Sequence, residues 1–169
     1  MTSPIAGPLA SVNRTRAGEI LCSPKRRAGF AYLISIGGVR EPPPAGIGNI
    51  ATRLRLVFED AASFEEGGSS RSDVERLLLF AAHVDLARGG LIVQCQAGIS
   101  RSSAAALIVL ATILGPGREL EAARLVLQAN PLARPNPLML RVAGELMGRG
   151  EQLTAAWAQA RTHASGSSS

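Results

Sequence analysis

Leu91-Ile92-Val93 carries no polar side chain, and after a short polar interval a second apolar run follows, Ser102 to Leu114. A short run that is apolar on both faces fits a strand in the middle of a parallel sheet, with both faces covered. A helix apolar nearly all round must itself be buried. A strand, a tight loop and a helix that all need covering demand layers on either side. The rest of the chain supplies them. Ala31 to Ile36 reads as a strand stopped by Gly37-Gly38, and Thr52 to Phe58 alternates polar and apolar as a half-buried strand does. Glu19 to Cys22 reads as a further short strand. Val74, Leu77, Leu78, Ala81 and Val84 recur at helical spacing, with Asp73 placed to cap or open that helix. Helices are also expected around Glu119 to Gln128, Pro137 to Met147 and Glu151 to Arg161. The implied fold class is α/β: a mostly parallel central sheet with helices on both faces.

A chain of 169 residues suits one domain with a sizeable core. Residues 1–18 read as a loosely held N-terminal lead-in, 19–162 as a single domain and 163–169 as a disordered tail rich in Ser and Gly. Pro42-Pro43-Pro44 places a loop over Arg40 to Gly48. The formal charge is +5 and rests on arginine, Lys25 being the only lysine. The arginines are scattered, with no basic block and little aromatic interleaving, so no nucleic-acid partner is expected. Two cysteines, Cys22 and Cys95, cannot build a disulfide framework. No apolar run approaches the ~20 residues of a membrane span. A cytoplasmic, reducing location is the expectation, one in which a reactive thiol survives.

The chemistry concentrates between the apolar strand and the apolar helix, in Cys95-Gln96-Ala97-Gly98-Ile99-Ser100-Arg101-Ser102. A loop of this length can curl so that successive backbone N–H groups point inward. With the positive end of a helix behind it, such a nest binds a dianion. Gly98 supplies the freedom to reach positive φ. The field that draws in a dianion also favours a thiolate at Cys95, and the thiolate is the species that attacks. Arg101 closes the loop with a planar fork that matches two phosphate oxygens. Ser102 can donate its hydroxyl to the sulfur, which matters most when the sulfur departs.

The segment Gln94 to Ser103 resembles the signature of the protein tyrosine phosphatase superfamily, H-C-x-x-G-x-x-R-S/T, and its A-G-I-S-R-S wording is closest to the dual-specificity branch. The resemblance runs from about Ile20 to about Met147 and is specific only in the loop. It implies a dual-specificity phosphatase-like fold and hydrolysis of phosphate monoesters on proteins. In that reading Cys95 is the nucleophile, Gln96 to Arg101 (Gln96, Ala97, Gly98, Ile99, Ser100, Arg101) the phosphate loop and Ser102 the leaving-group helper. One position departs: Gln94 stands where the family has histidine. Glutamine can hydrogen-bond but cannot carry charge.

Expelling an alkoxide or phenoxide needs a general acid. The family's acid is an aspartate after a strand, and Leu54 to Asp60 resembles that strand and loop, which implies Asp60 in the role. Glu59 competes with it, and Glu65 and Glu66 remain open if the loop folds over. Asn130 to Asn136 resembles the turn behind the phosphate loop, where Asn136 matches an asparagine that positions the serine hydroxyl. Asn136-Pro137 is equally a good helix start. No cofactor is expected. His83 and His163 lie apart without companion ligands, so no metal site is expected either. The partner is a phosphorylated protein or a small phosphoester. Alternatives are a non-protein phosphate (inositol phosphate, lipid or RNA 5′ end), a phosphate-binding module without catalysis, and sulfur transfer of rhodanese type.

Overall fold

The computed structural model describes residues 5–166. Four strands, β1 (Leu9–Asn13), β2 (Phe30–Gly37), β3 (Thr52–Val57) and β4 (Gly90–Cys95), form one sheet in the order β1-β4-β2-β3, every pairing parallel. The helices are α1 (Arg14–Cys22), α2 (Pro24–Arg27), α3 (Arg71–Ala81), α4 (Arg101–Leu114), α5 (Glu119–Ala129), α6 (Pro137–Leu146) and α7 (Gln152–Gly166).

All of β4 is buried, which is why its sequence is continuous rather than alternating. One sheet face, with Leu33 of β2 and Ile92 of β4, packs on Ile20 and Leu21 of α1 and on Ile50. The opposite face, with Ile34, Ile36, Leu56, Leu91 and Val93, packs on the helical layer. At the centre of that layer is α4, whose residues from Ala104 to Ala111 are 0 % exposed. Helix α3 opens with a capping box. Ser70 Oγ accepts from Asp73 N at 3.1 Å, and the Asp73 carboxylate accepts from Ser70 N at 2.9 Å.

The N-terminal segment is not a loose lead-in. Residues Leu9 to Asn13 are an edge strand in register with Leu91 to Cys95, and the expected boundary at residue 18 falls inside α1. Glu19 to Cys22 is the second half of that helix rather than a strand. Asn13 caps it by accepting from Arg16 N at 2.8 Å. A run of three apolar residues, Ile20 to Cys22, does not distinguish helix from strand by period, and here the cap decides. At the other end, His163 to Gly166 continue α7, against the expected tail from residue 163; residues 167–169 lie outside the described part.

Candidate active site

Cys95 is the last residue of β4, at the C-terminal edge of the sheet, and β1 and β2 flank it on either side. Parallel sheets gather their binding sites at this edge. The loop that follows is held from outside by its carbonyls. Gln96 O accepts from Arg14 N at 3.4 Å, Gly98 O from Asn130 Nδ2 at 2.7 Å, Ile99 O from Arg134 N at 2.9 Å and Ser100 O from Asn136 N at 3.2 Å. With its carbonyls committed outward, the loop turns its amide edge towards the sulfur, and Gly98 N–H donates to Cys95 Sγ at 3.3 Å. Gly98 has φ 71°, and a Cβ there would collide with the backbone of Val12 and Asn13. Both conditions exclude a side chain.

The sulfur sits on the floor of this loop, with Cys95 1 % exposed and Ser102 Oγ 3.2 Å from Sγ. As a thiolate it accepts from that hydroxyl. Arg101, the first residue of α4, is 4 % exposed. Its Nη1 donates to Phe58 O at 2.8 Å, and its Nη2 pairs with Glu41 Oε2 at 2.9 Å. Its Nε is buried and has no hydrogen-bond partner among the described residues. An unpartnered buried donor costs roughly 1–3 kcal/mol, and with its far corners fixed the guanidinium keeps Nε as the donor that an acceptor can meet.

The two neighbouring carboxylates separate. Asp60 Oδ1 reaches the loop, accepting from Ser100 Oγ at 2.7 Å and from Asn136 Nδ2 at 2.8 Å. Glu59 turns to the other side and accepts from Val39 N at 3.0 Å, where Gly38 and Gly67 leave room for it. Glu66 accepts from Ser63 Oγ at 3.1 Å within its own turn. Asn136 does cap α6, its Oδ1 accepting from Met139 N at 3.1 Å. Its amide, however, donates to Asp60 and to Ala61 O, not to the serine hydroxyl that the sequence assigned it; Ser102 meets the sulfur instead. Gln94 accepts from Ser35 Oγ at 2.7 Å.

Sequence reasoning missed Glu41, Ser35 and Arg55, and it put Asn130 in the turn behind the loop without its bond to Gly98 O. Glu41 sits beside three prolines and Asn130 in a turn, and neither announces a contact by spacing. Ser35 and Gln94 did carry a signal: each is a polar residue inside an apolar strand, and buried polar groups need partners. Arg55 Nη1 donates to Ser35 Oγ at 2.8 Å. Burial lowers the Arg55 pKa, Glu41 opposes that shift, and the Arg101 charge adds to it. Among the described residues no group of three or more His, Cys, Asp or Glu could hold a metal ion, and no helix is long and apolar enough to cross a membrane.

No family model and no curated protein matches the sequence. Solved structures do match. Human DUSP28 is 24% identical, with 87% of this chain and 94% of that one covered at a TM-score of 0.56. DUSP15 is 22% identical over 96% of this chain and 95% of its own, at 0.57. PTPMT1 in complex with PI(5)P is 17% identical over 85% and 89%, also at 0.57. The chain has the α/β fold of these protein tyrosine and dual-specificity phosphatase structures, as its signature loop implied.

Proposed function

We propose that this chain, built on the dual-specificity phosphatase fold, is a cysteine-dependent phosphatase that hydrolyses phosphate monoesters through a cysteinyl-phosphate intermediate. One observation carries the reading: the Gly98 amide and the Ser102 hydroxyl converge on Cys95 Sγ, and the same loop closes on a buried Arg101 whose Nε has no partner among the described residues.

The chemistry follows from these groups. A phosphoryl group settled in the loop offers its equatorial oxygens to the backbone amides and to Arg101. The Cys95 thiolate attacks phosphorus in line, the S–P bond forms and the P–O bond to the leaving group breaks. Asp60 gives its proton to the departing oxygen. In the second half, Asp60 takes a proton from water, the water oxygen bonds to phosphorus and the S–P bond breaks. Ser102 donates to the returning thiolate. Inorganic phosphate leaves, and sulfur and carboxyl have regained their starting states. A nucleophilic thiol suits a reducing compartment, so we place the protein in the cytoplasm.

The variable loop positions Gln96, Ala97, Ile99 and Ser100 are neutral. A phosphoprotein or a small aryl phosphate therefore suits the loop better than a polyanionic headgroup does. One of the similar structures is a complex with PI(5)P, so inositol phosphates are the second substrate class to assay.

Turnover of p-nitrophenyl phosphate tests the reading. Wild type is expected to release nitrophenolate, and Cys95→Ser to release none. Vanadate, a five-coordinate mimic of the transition state, is expected to inhibit. Thiosulfate consumption with cyanide, in place of phosphate release, would reassign the loop to sulfur transfer.

A further inference from the structure

Three side chains on adjacent strands make one polar rung across the sheet. Gln94 of β4 is in register with Ser35 of β2, and Ser35 with Arg55 of β3. The rung two residues earlier lies on the same face, and there Leu33 and Ile92 pack against α1 while β3 contributes Arg53 at the margin. Ser35 is 0 % exposed and Gln94 1 %. The hydrogen bonds run in one direction. Arg55 Nη1 donates to Ser35 Oγ at 2.8 Å, and Ser35 donates onward to Gln94 Oε1 at 2.7 Å.

The other end of Arg55 reaches the active site. Its Nη2 donates to the backbone carbonyl of Glu41 at 2.8 Å. The Glu41 carboxylate then accepts from Gly38 N at 2.6 Å and from Arg101 Nη2 at 2.9 Å. The surroundings are shaped for this guanidinium. A Cβ at Gly37 would collide with Arg55 Nη2 and stand 3.0 Å from Glu41 O, so β2 ends on the one residue that lets the side chain pass. Burial acts against the charged form of Arg55, the Glu41 carboxylate acts for it, and the Arg101 charge adds to the burial effect. A neutral residue would fill the space without the cost of burying a guanidinium.

We infer that Arg55 is a positioning residue for the phosphate clamp: it fixes the Glu41 backbone, hence the carboxylate that aims Arg101, and is itself locked by Ser35 and Gln94. The inference rests on the phosphatase reading of Cys95 and Arg101. It also accounts for glutamine before the nucleophile. A neutral acceptor completes the rung, whereas a histidine that gained a proton would set a third cation one hydroxyl away from Arg55.

The test compares wild type, Arg55→Met, Glu41→Gln and the double variant. The readouts are the dissociation constant of inorganic phosphate, kcat and KM for p-nitrophenyl phosphate, and the melting temperature. Arg55→Met is expected to weaken phosphate binding and raise KM about tenfold, as loss of a charge-assisted hydrogen bond does. The double variant should be no worse than the poorer single one, because the two residues act in series. If Arg55→Met does not fold, Ser35→Ala frees one anchor of Arg55 and should weaken phosphate binding in the same sense by a smaller factor. A competent wild type with an unchanged phosphate dissociation constant in Arg55→Met, or in Ser35→Ala where that substitutes for it, overturns this inference alone. So do losses that multiply independently in the double variant. A wild type that neither binds phosphate nor turns over ester overturns the phosphatase reading, and this inference with it.

Discussion

Asp60 and Glu59 are adjacent in the chain and face different partners, one the phosphate loop and the other the backbone of Val39. That divergence makes a kinetic prediction. Asp60→Ala should lower kcat by roughly 10²–10⁴, the usual contribution of a general acid, with the larger loss on substrates whose leaving group is a poor one. Glu59→Ala should change kcat by much less. Equal losses in the two, measured on p-nitrophenyl phosphate and on an alkyl phosphate, would remove Asp60 from its role. Gly98 gives a second prediction at this scale. Gly98→Ala meets both a φ of 71° and the backbone of Val12 and Asn13, so a loss of roughly 1–3 kcal/mol in stability is expected by urea denaturation, together with activity. Single residues were legible in sequence where spacing alone singles them out, as for Cys95, Arg101 and Ser102, and the structure brings Cys95 Sγ and Ser102 Oγ together beside the start of α4. Glu41 and Arg55 were not, because their partners come from other strands and loops, and only the assembled sheet brings them together.

At the level of elements, β4 and α4 were readable because both are buried all round and so have apolar sequences. Strand β1 was hidden for the opposite reason. Its Leu-Ala-Ser-Val-Asn sequence is small and partly polar, and it becomes a strand by pairing with β4 along the edge that β2 leaves free. Helix α1 was misread because Ile20 and Leu21 show only its buried side. The N-terminal strand also backs the loop that follows Cys95, since Gly98 rests on Val12 and Asn13 and Arg14 N donates to Gln96 O. A chain beginning at Arg14 should therefore lose its cooperative thermal transition along with its activity. A truncated protein that melts like the full chain would show β1 to be dispensable.

Across the whole molecule, the sheet and α4 form the centre, and the later helices pack on it through residues such as Val126, Met139 and Leu153, with a buried ion pair added to that packing. Arg149 Nη1 bonds both to Glu119 Oε1 at 3.0 Å and to Ala111 O at 2.9 Å, with the two side chains 9% and 8% exposed. Removing one partner leaves a buried charge uncompensated, so Glu119→Ala should cost about 3–5 kcal/mol in denaturant titration. A change under 1 kcal/mol would mean that the segment relaxes and lets water reach Arg149. The global layout of parallel sheet and two helical layers was legible from the alternation of strands and helices. The placement of Asp60 against the loop after Cys95 was not, because it depends on how Asn136 and Ser100 meet Asp60 across the fold. The proposed reaction requires that phosphate pass through the sulfur of Cys95. Rapid acid quenching during turnover of an aryl phosphate, followed by peptide mapping by mass spectrometry, tests this directly. The account predicts a phosphate adduct on Cys95 in wild type and none in Cys95→Ser, whereas steady hydrolysis with Cys95 unmodified, or hydrolysis surviving in Cys95→Ser, would contradict it.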